Sequence, residues 1–119
     1  MEILDNIKKL DTQATTFGFQ WSKASEIIDQ IISECREIEQ ELQDSPEKLQ
    51  EELGDLIHAT LSLCLFCGFD PKDTLEKSVL KFQKRFEAVK KITRESGLEN
   101  LQNQPMEKLM EIWQKAKMD

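Results

Sequence analysis

Glu34 and Glu37 stand three residues apart, as do Glu52 and Asp55, and a short interruption at Asp44-Ser45-Pro46 separates the two pairs. A three-residue step on a helix puts side chains on neighbouring positions of one face. At about 100° per residue, Glu34, Glu37 and Glu41 fall within one narrow sector, shared or bordered by Ile27, Ile31 and Ile38. Glu52 and Asp55 flank a sector holding Leu49, Leu56, Ala59 and Leu63, while Glu47 and Glu51 point elsewhere. Carboxylates gathered at an apolar face raise one another's pKa and lose hydration, so the arrangement is costly unless something neutralises it. A divalent cation does so, and an all-oxygen donor set suits Mg²⁺ or Mn²⁺, which keep coordination positions for water and phosphate oxygens. The competing reading puts the same acids on the edges of a bundle, in ordinary surface pairs with Lys or Arg. Spacing alone leaves both open.

A second group of residues is cationic. Lys77, Lys81 and Arg85 follow one another at four-residue spacing beside an apolar stripe of Phe82, Phe86 and Val89. Such a stripe is either a solvated face or, next to an acidic metal cluster in an acidic chain, a surface for phosphate. Trp113 and Lys117 lie one helical turn apart, which fits either an aromatic anchor or a ring stacked on a base. His58 falls within a helical segment, away from any nucleophile, and reads as a structural or surface residue. No Ser/His/Asp or Cys/His arrangement and no Gly-rich phosphate loop competes for the chemistry.

These side chains must be positioned by helices. Apolar residues recur at three- and four-residue spacing almost everywhere, with no alternating strand pattern. The spacing predicts helices over 3–16, from a Ser22 cap to 43, from Pro46 to 67, from Pro71 to 96, and a last one from about 105. Ser45 and Asp70, each followed by Pro, are start signals; Gly68 and Gly97 are stop signals. Short connections make sequential helices antiparallel, so the second and third form a hairpin that turns the two acidic pairs toward one another. The expected fold is all-α, a bundle of four to five helices with short connections, in a single domain over residues 1–119.

Bulk properties set limits on function. A net charge of −7, with 33% charged and 39% apolar residues, argues against a nucleic-acid polymer as partner, since that affinity comes from neutralising phosphates. No apolar run approaches the roughly 20 residues of a membrane span. Residues 1–10 are charged throughout and lack the apolar stretch of a signal peptide, so the expected compartment is the cytoplasm, with no membrane partner. Three cysteines, Cys35, Cys64 and Cys67, are an odd number inside helical patterns, which argues against a disulfide framework and favours buried, inert thiols.

With the residues laid out, a family resemblance emerges. Glu34-x-x-Glu37 followed by Glu51-Glu52-Leu53-Gly54-Asp55-Leu56 resembles the metal motif of the MazG-like, all-α nucleoside triphosphate pyrophosphohydrolases. The likeness continues through Gly68-Phe69-Asp70-Pro71 and Lys81-Phe82-Gln83-Lys84-Arg85-Phe86 to Ile112-Trp113-Gln114-Lys115-Ala116-Lys117, and covers residues 19–117. It implies Mg²⁺-dependent hydrolysis of nucleoside or deoxynucleoside triphosphates to the monophosphate and pyrophosphate, by a homodimer or homotetramer. It implies metal ligation by Glu34, Glu37, Glu52 and Asp55, and substrate contacts from Lys48, Lys81, Arg85 and Lys117, with Trp113 near the nucleotide. A metal-adjacent carboxylate, Glu34 or Glu37, would then orient the attacking water. Two positions depart from the family pattern: Ser33 stands where many members carry a further Glu, and Val79 where an Asn is usual. The alternative function is a non-catalytic helical module for nucleotide binding or oligomerisation.

Overall fold

The computed structural model describes residues 2–43 and 45–118. These form five helices: α1 (Glu2–Phe17), α2 (Ala24–Glu41), α3 (Pro46–Phe66), α4 (Pro71–Glu95) and α5 (Met106–Lys117). Among the described residues there is no strand, and the all-α expectation holds. The chain divides into two compact units, Met1–Thr74 and Leu75–Asp119.

In the first unit each helix boundary has a chemical cause. The α1 helix ends at Gly18, whose φ of 97° is open to a residue without Cβ. At the start of α2 the cap is Lys23 rather than Ser22, and Glu26 supplies what Lys23 lacks. Its Oε1 accepts from the Ser22 hydroxyl and from the backbone N–H groups of Ser22 and Lys23, which holds the Glu26 carboxyl below its ordinary range. Ser45 caps α3 as expected, accepting from the Lys48 N–H, with Pro46 in the first turn. Asp44, read as part of that stop signal, lies outside the described residues. The α3 helix closes at Gly68, φ 85°, with the Phe69 N–H returning to the Cys64 carbonyl. Asp70 then starts α4: its Oδ2 accepts from the Asp73 N–H and its Oδ1 from Lys8 Nζ at 3.2 Å, so one side chain caps the first turn of α4 and pairs with Lys8 of α1, within this unit.

The α2–α3 hairpin is the principal packing of this unit, as its short connection requires, and α1 adds a narrower contact with α3. Among the described residues of this unit, Ile27 on α2, Leu4 on α1 and Pro71 at the start of α4 are the buried apolar side chains. The α3 helix is unusual. From Leu56 onward it is apolar nearly all round, the pattern of a fully enclosed helix, yet none of its residues is fully buried. Ile57 is 61% exposed, and Ile28 and Ile32 of α2 are also open to solvent. The cysteines follow the same trend: Cys35 and Cys67 are exposed and Cys64 is half-buried, so the expectation of buried thiols fails. It assumed a depth of packing that the isolated chain does not provide at these positions.

The second unit consists of α4 from Leu75 onward, a connection, and α5. Gly97, φ 81°, ends α4, and the Leu98 N–H returns to the Thr93 carbonyl. Ile112 and Ala116 of α5 are buried, as is Thr93, whose hydroxyl donates to the Val89 carbonyl. Phe82 and Phe86 stack along α4 with ring centres 6.1 Å apart, and Trp113 of α5 meets Phe82 at 5.8 Å. Among the described residues no single helix is long and apolar enough to cross a membrane.

Candidate metal centre and basic pocket

The α2–α3 hairpin brings three of the four expected acids together. Carboxylate oxygens of Glu34, Glu37 and Glu52 all lie within 4.8 Å of one another. Glu34 is 6% exposed, which for a carboxylate demands a partner. Its Oε1 has one, accepting from Gln30 Nε2 at 2.7 Å, one turn earlier on α2. Among the described residues its Oε2 has none, and neither has Oε2 of Glu52, although both atoms are buried. Buried polar atoms are almost always hydrogen-bonded, so two orphaned oxygens in one acidic cluster mark a place for a cation. The cluster thus fits a metal ion by burial, donor type and missing partners.

Electrostatics give the same answer. The Glu52 carboxyl is pushed up to about 7, first because the Glu37 carboxylate lies within hydrogen-bonding reach, then by burial and by Glu34, whose negative charge adds to that of Glu37. Three acids this close cannot all ionise cheaply, so without a cation a proton takes its place. A divalent ion would displace that proton and supply the missing partner of both orphaned oxygens.

Asp55 is outside the cluster. It is exposed on α3, because a three-residue step leaves it about 60° from the direction of Glu52. Lys48 is held by Glu41 at 3.5 Å across the α2–α3 turn, an intrachain partner that the sequence reading did not foresee. His58 is exposed, as a surface histidine.

In the second unit, Lys81, Lys84 and Arg85 of α4 and Lys117 of α5 line a cavity of about 240 Å³, with Ala88 and Ala116. Three of the basic residues expected to meet substrate are therefore gathered in one pocket, while Lys77, the first member of the four-residue stripe, does not line it. Trp113 faces inward on its own unit: Phe82 packs on it, and the Arg85 guanidinium lies over its ring at 5.8 Å. That geometry serves the anchor reading directly and gives the ring a further task, holding Arg85. Sequence reasoning missed Lys84. The available signal was the i, i+3, i+4, i+7 set Lys81, Lys84, Arg85 and Ala88, which shares a face better than four-residue steps do.

The charge is divided unevenly between the units. Residues 1–74 carry 16 acidic and 6 basic side chains, whereas residues 75–119 carry 7 acidic and 10 basic ones. The acidic whole thus contains a segment of net positive charge, and the basic pocket lies there.

Residues 22–90, from the start of α2 to late α4, match the family model described as the MazG nucleotide pyrophosphohydrolase domain. Over 114 residues the chain is 34% identical to the nucleoside triphosphate pyrophosphohydrolase/pyrophosphatase MazG of Thermotoga maritima, an alignment covering 96% of this chain and 44% of that protein. Over 113 residues it is 31% identical to the nucleoside triphosphate pyrophosphohydrolase of Escherichia coli strain K12, covering 92% of this chain and 43% of that protein. The chain thus spans less than half the length of these relatives. Both alignments cover more than nine-tenths of the chain, whereas the family model ends before α5.

Proposed function

The chain belongs to the MazG nucleotide pyrophosphohydrolase family, and from that premise we propose that it hydrolyses nucleoside or deoxynucleoside triphosphates to the monophosphate and pyrophosphate, with Mg²⁺ as its ion. The observation that carries the reading is the pair of buried, unpartnered oxygens on Glu34 and Glu52 within a three-carboxylate cluster. An ordinary surface pair would leave neither.

Glu34, Glu37 and Glu52 hold the ion, and Asp55 stands as a fourth acid one turn along α3. When bound, Mg²⁺ polarises phosphate oxygens and lowers the pKa of a coordinated water. The chain's own side chains supply the rest. Glu34 is fixed by Gln30 and buried, which suits a ligand that does not move. Glu37 is exposed at the same cluster and is the carboxylate we assign to orienting the attacking water, with Glu34 as its support. Lys81, Arg85 and Lys117 neutralise the charge that develops on the phosphates. Lys48, engaged by Glu41, has no assigned substrate contact.

We further propose a cytoplasmic homodimer or homotetramer. From Leu56 onward α3 is apolar nearly all round but nowhere fully buried: it has the composition of an enclosed element and lacks the enclosure.

The test is a panel of ribo- and deoxyribonucleoside triphosphates with Mg²⁺, followed by pyrophosphate release. Wild-type turnover on at least one substrate, abolished by Glu37→Gln and by Glu52→Gln with helical circular dichroism unchanged, is the expected result. Turnover retained in both variants refutes the acid assignments. No turnover on any substrate refutes the enzyme reading in favour of a helical binding module.

A further inference from the structure

Five of the eight aromatic residues fall in two short segments: Phe17, Phe19 and Trp21 around the α1–α2 connection, and Phe66 and Phe69 around the end of α3. The α2–α3 hairpin brings these segments to one end of its unit. Its turn lies at residues 42–45, so the start of α2 and the end of α3 share the opposite end. All five rings are open to solvent, from 43% at Trp21 and Phe66 to 90% at Phe17. Their backbone is not loose. The Phe19 N–H returns to the Ala14 carbonyl and the Phe69 N–H to the Cys64 carbonyl, each directly after a glycine of positive φ. An apolar residue at that place ordinarily packs back on its own helix. Phe19 and Phe69 do not; they are 81% and 64% exposed.

We propose that this aromatic end docks a second copy of the chain, through a self-complementary contact separate from the side of α3. Area supports a specific contact. At roughly 200 Å² for a whole aromatic side chain, these exposures leave roughly 600 Å² open per copy. Two copies meeting here bury roughly 1,200 Å², enough for a stable interface. Charge decides the occupant. Residues 1–74 hold 6 basic against 16 acidic side chains, a net −10. Segments 17–26 and 64–74 hold only Glu26, Asp70 and Asp73 against Lys23 and Lys72, and Lys8, paired with Asp70 at 3.2 Å, completes the balance. A second copy therefore meets this end without net repulsion, whereas other faces of the unit set like charge against like. A basic partner is drawn to the acidic remainder instead, and an anionic bilayer is repelled by it. Together with the α3 contact, the end contact makes the assembly a homotetramer rather than a homodimer. The tetramer rests on that earlier reading. The end contact does not.

The experiment is sedimentation equilibrium of the full chain over a range of concentrations, read as molar mass. The wild type reaches four times 13.9 kDa. A variant carrying Phe17→Glu and Phe19→Glu, at two exposed rings, halves the mass with helical circular dichroism unchanged, while Phe17→Leu with Phe19→Leu keeps most of the assembly. Ile57→Glu, on the side of α3, also halves the mass, and all three Glu changes together give the monomer. Cys67, between Phe66 and Phe69, is alkylated more slowly in the wild type than in the Phe17→Glu/Phe19→Glu variant. A wild-type mass retained in that variant overturns the end contact, and so does a wild type that is monomeric throughout. A wild-type dimer split by Phe17→Glu/Phe19→Glu but not by Ile57→Glu leaves the end contact standing and defeats the α3 contact; the converse pattern does the reverse. A monomeric wild type that binds phosphatidylcholine vesicles, with binding lost in the Phe17→Glu/Phe19→Glu variant, assigns the end to a lipid surface and overturns the proposal.

Discussion

Proton release on Mg²⁺ binding reports directly on the three-carboxylate cluster. In the metal-free chain the Glu52 carboxyl is raised from 4.5 to about 7. The folded state therefore retains a proton that the unfolded chain gives up. Its contribution to stability is fully present below about pH 4.5 and is lost as pH rises through about 7. Mg²⁺ reverses the sense, because it binds only the ionised form. The ionised fraction of a group titrating at about 7 is near three-quarters at pH 7.5 and about 3% at pH 5.5, so Mg²⁺ affinity should fall roughly 25-fold across that interval. Titration calorimetry in two buffers of different ionisation enthalpy counts the protons: about one released per ion at pH 6 and close to none at pH 8. Glu52→Gln should lose both most of the affinity and the pH dependence. Affinity that is flat from pH 5.5 to 7.5, or binding at pH 6 with no proton release, would show that the ion does not sit on these acids.

Three further outcomes follow from particular contacts. Gln30→Leu removes the only hydrogen-bond donor to Glu34 among the described residues and should weaken Mg²⁺ binding by about 10-fold or more while leaving the fold intact, measured by calorimetry at pH 8. Trp113→Leu deprives Arg85 of the ring beneath it and should raise KM about fivefold, equally for every base, whereas a stacking role would change the ranking of bases. Gly68→Ala meets no atom within 4 Å, so its cost is that of holding a Cβ at φ 85°: about 1 kcal/mol, read as a melting temperature lower by about 3–6 °C at fixed protein concentration.

Most of the helical layout was legible because its punctuation is chemical. Ser45-Pro46, Asp70-Pro71, Gly68 and Gly97 each act locally, and α3 and the end of α4 fall where these residues put them. The start of α2 was harder, since Glu26 does from inside the helix what Ser22 was expected to do from outside. The acidic cluster could be read from spacing for Glu34, Glu37 and Glu52, whose sectors converge across the hairpin. Asp55 shows the limit of that arithmetic: a residue three positions on is near its predecessor's face, not on it. Lys48 and the cysteines depended on tertiary surroundings, a partner at Glu41 and a depth of burial, which periodicity does not encode. Lys84 lies off the regular four-residue stripe of Lys77, Lys81 and Arg85, on the face that α4 presents to its cavity, so four-residue periodicity does not reveal it.

The α3 helix sets a condition on how this chain must be handled. If its apolar surface is closed by another copy, folding and association form a single equilibrium, and the melting temperature climbs with protein concentration instead of being a constant of the molecule. Dilution alone then unravels the hairpin that carries Glu34 and Glu52, so specific activity falls in dilute assays before any substrate is limiting.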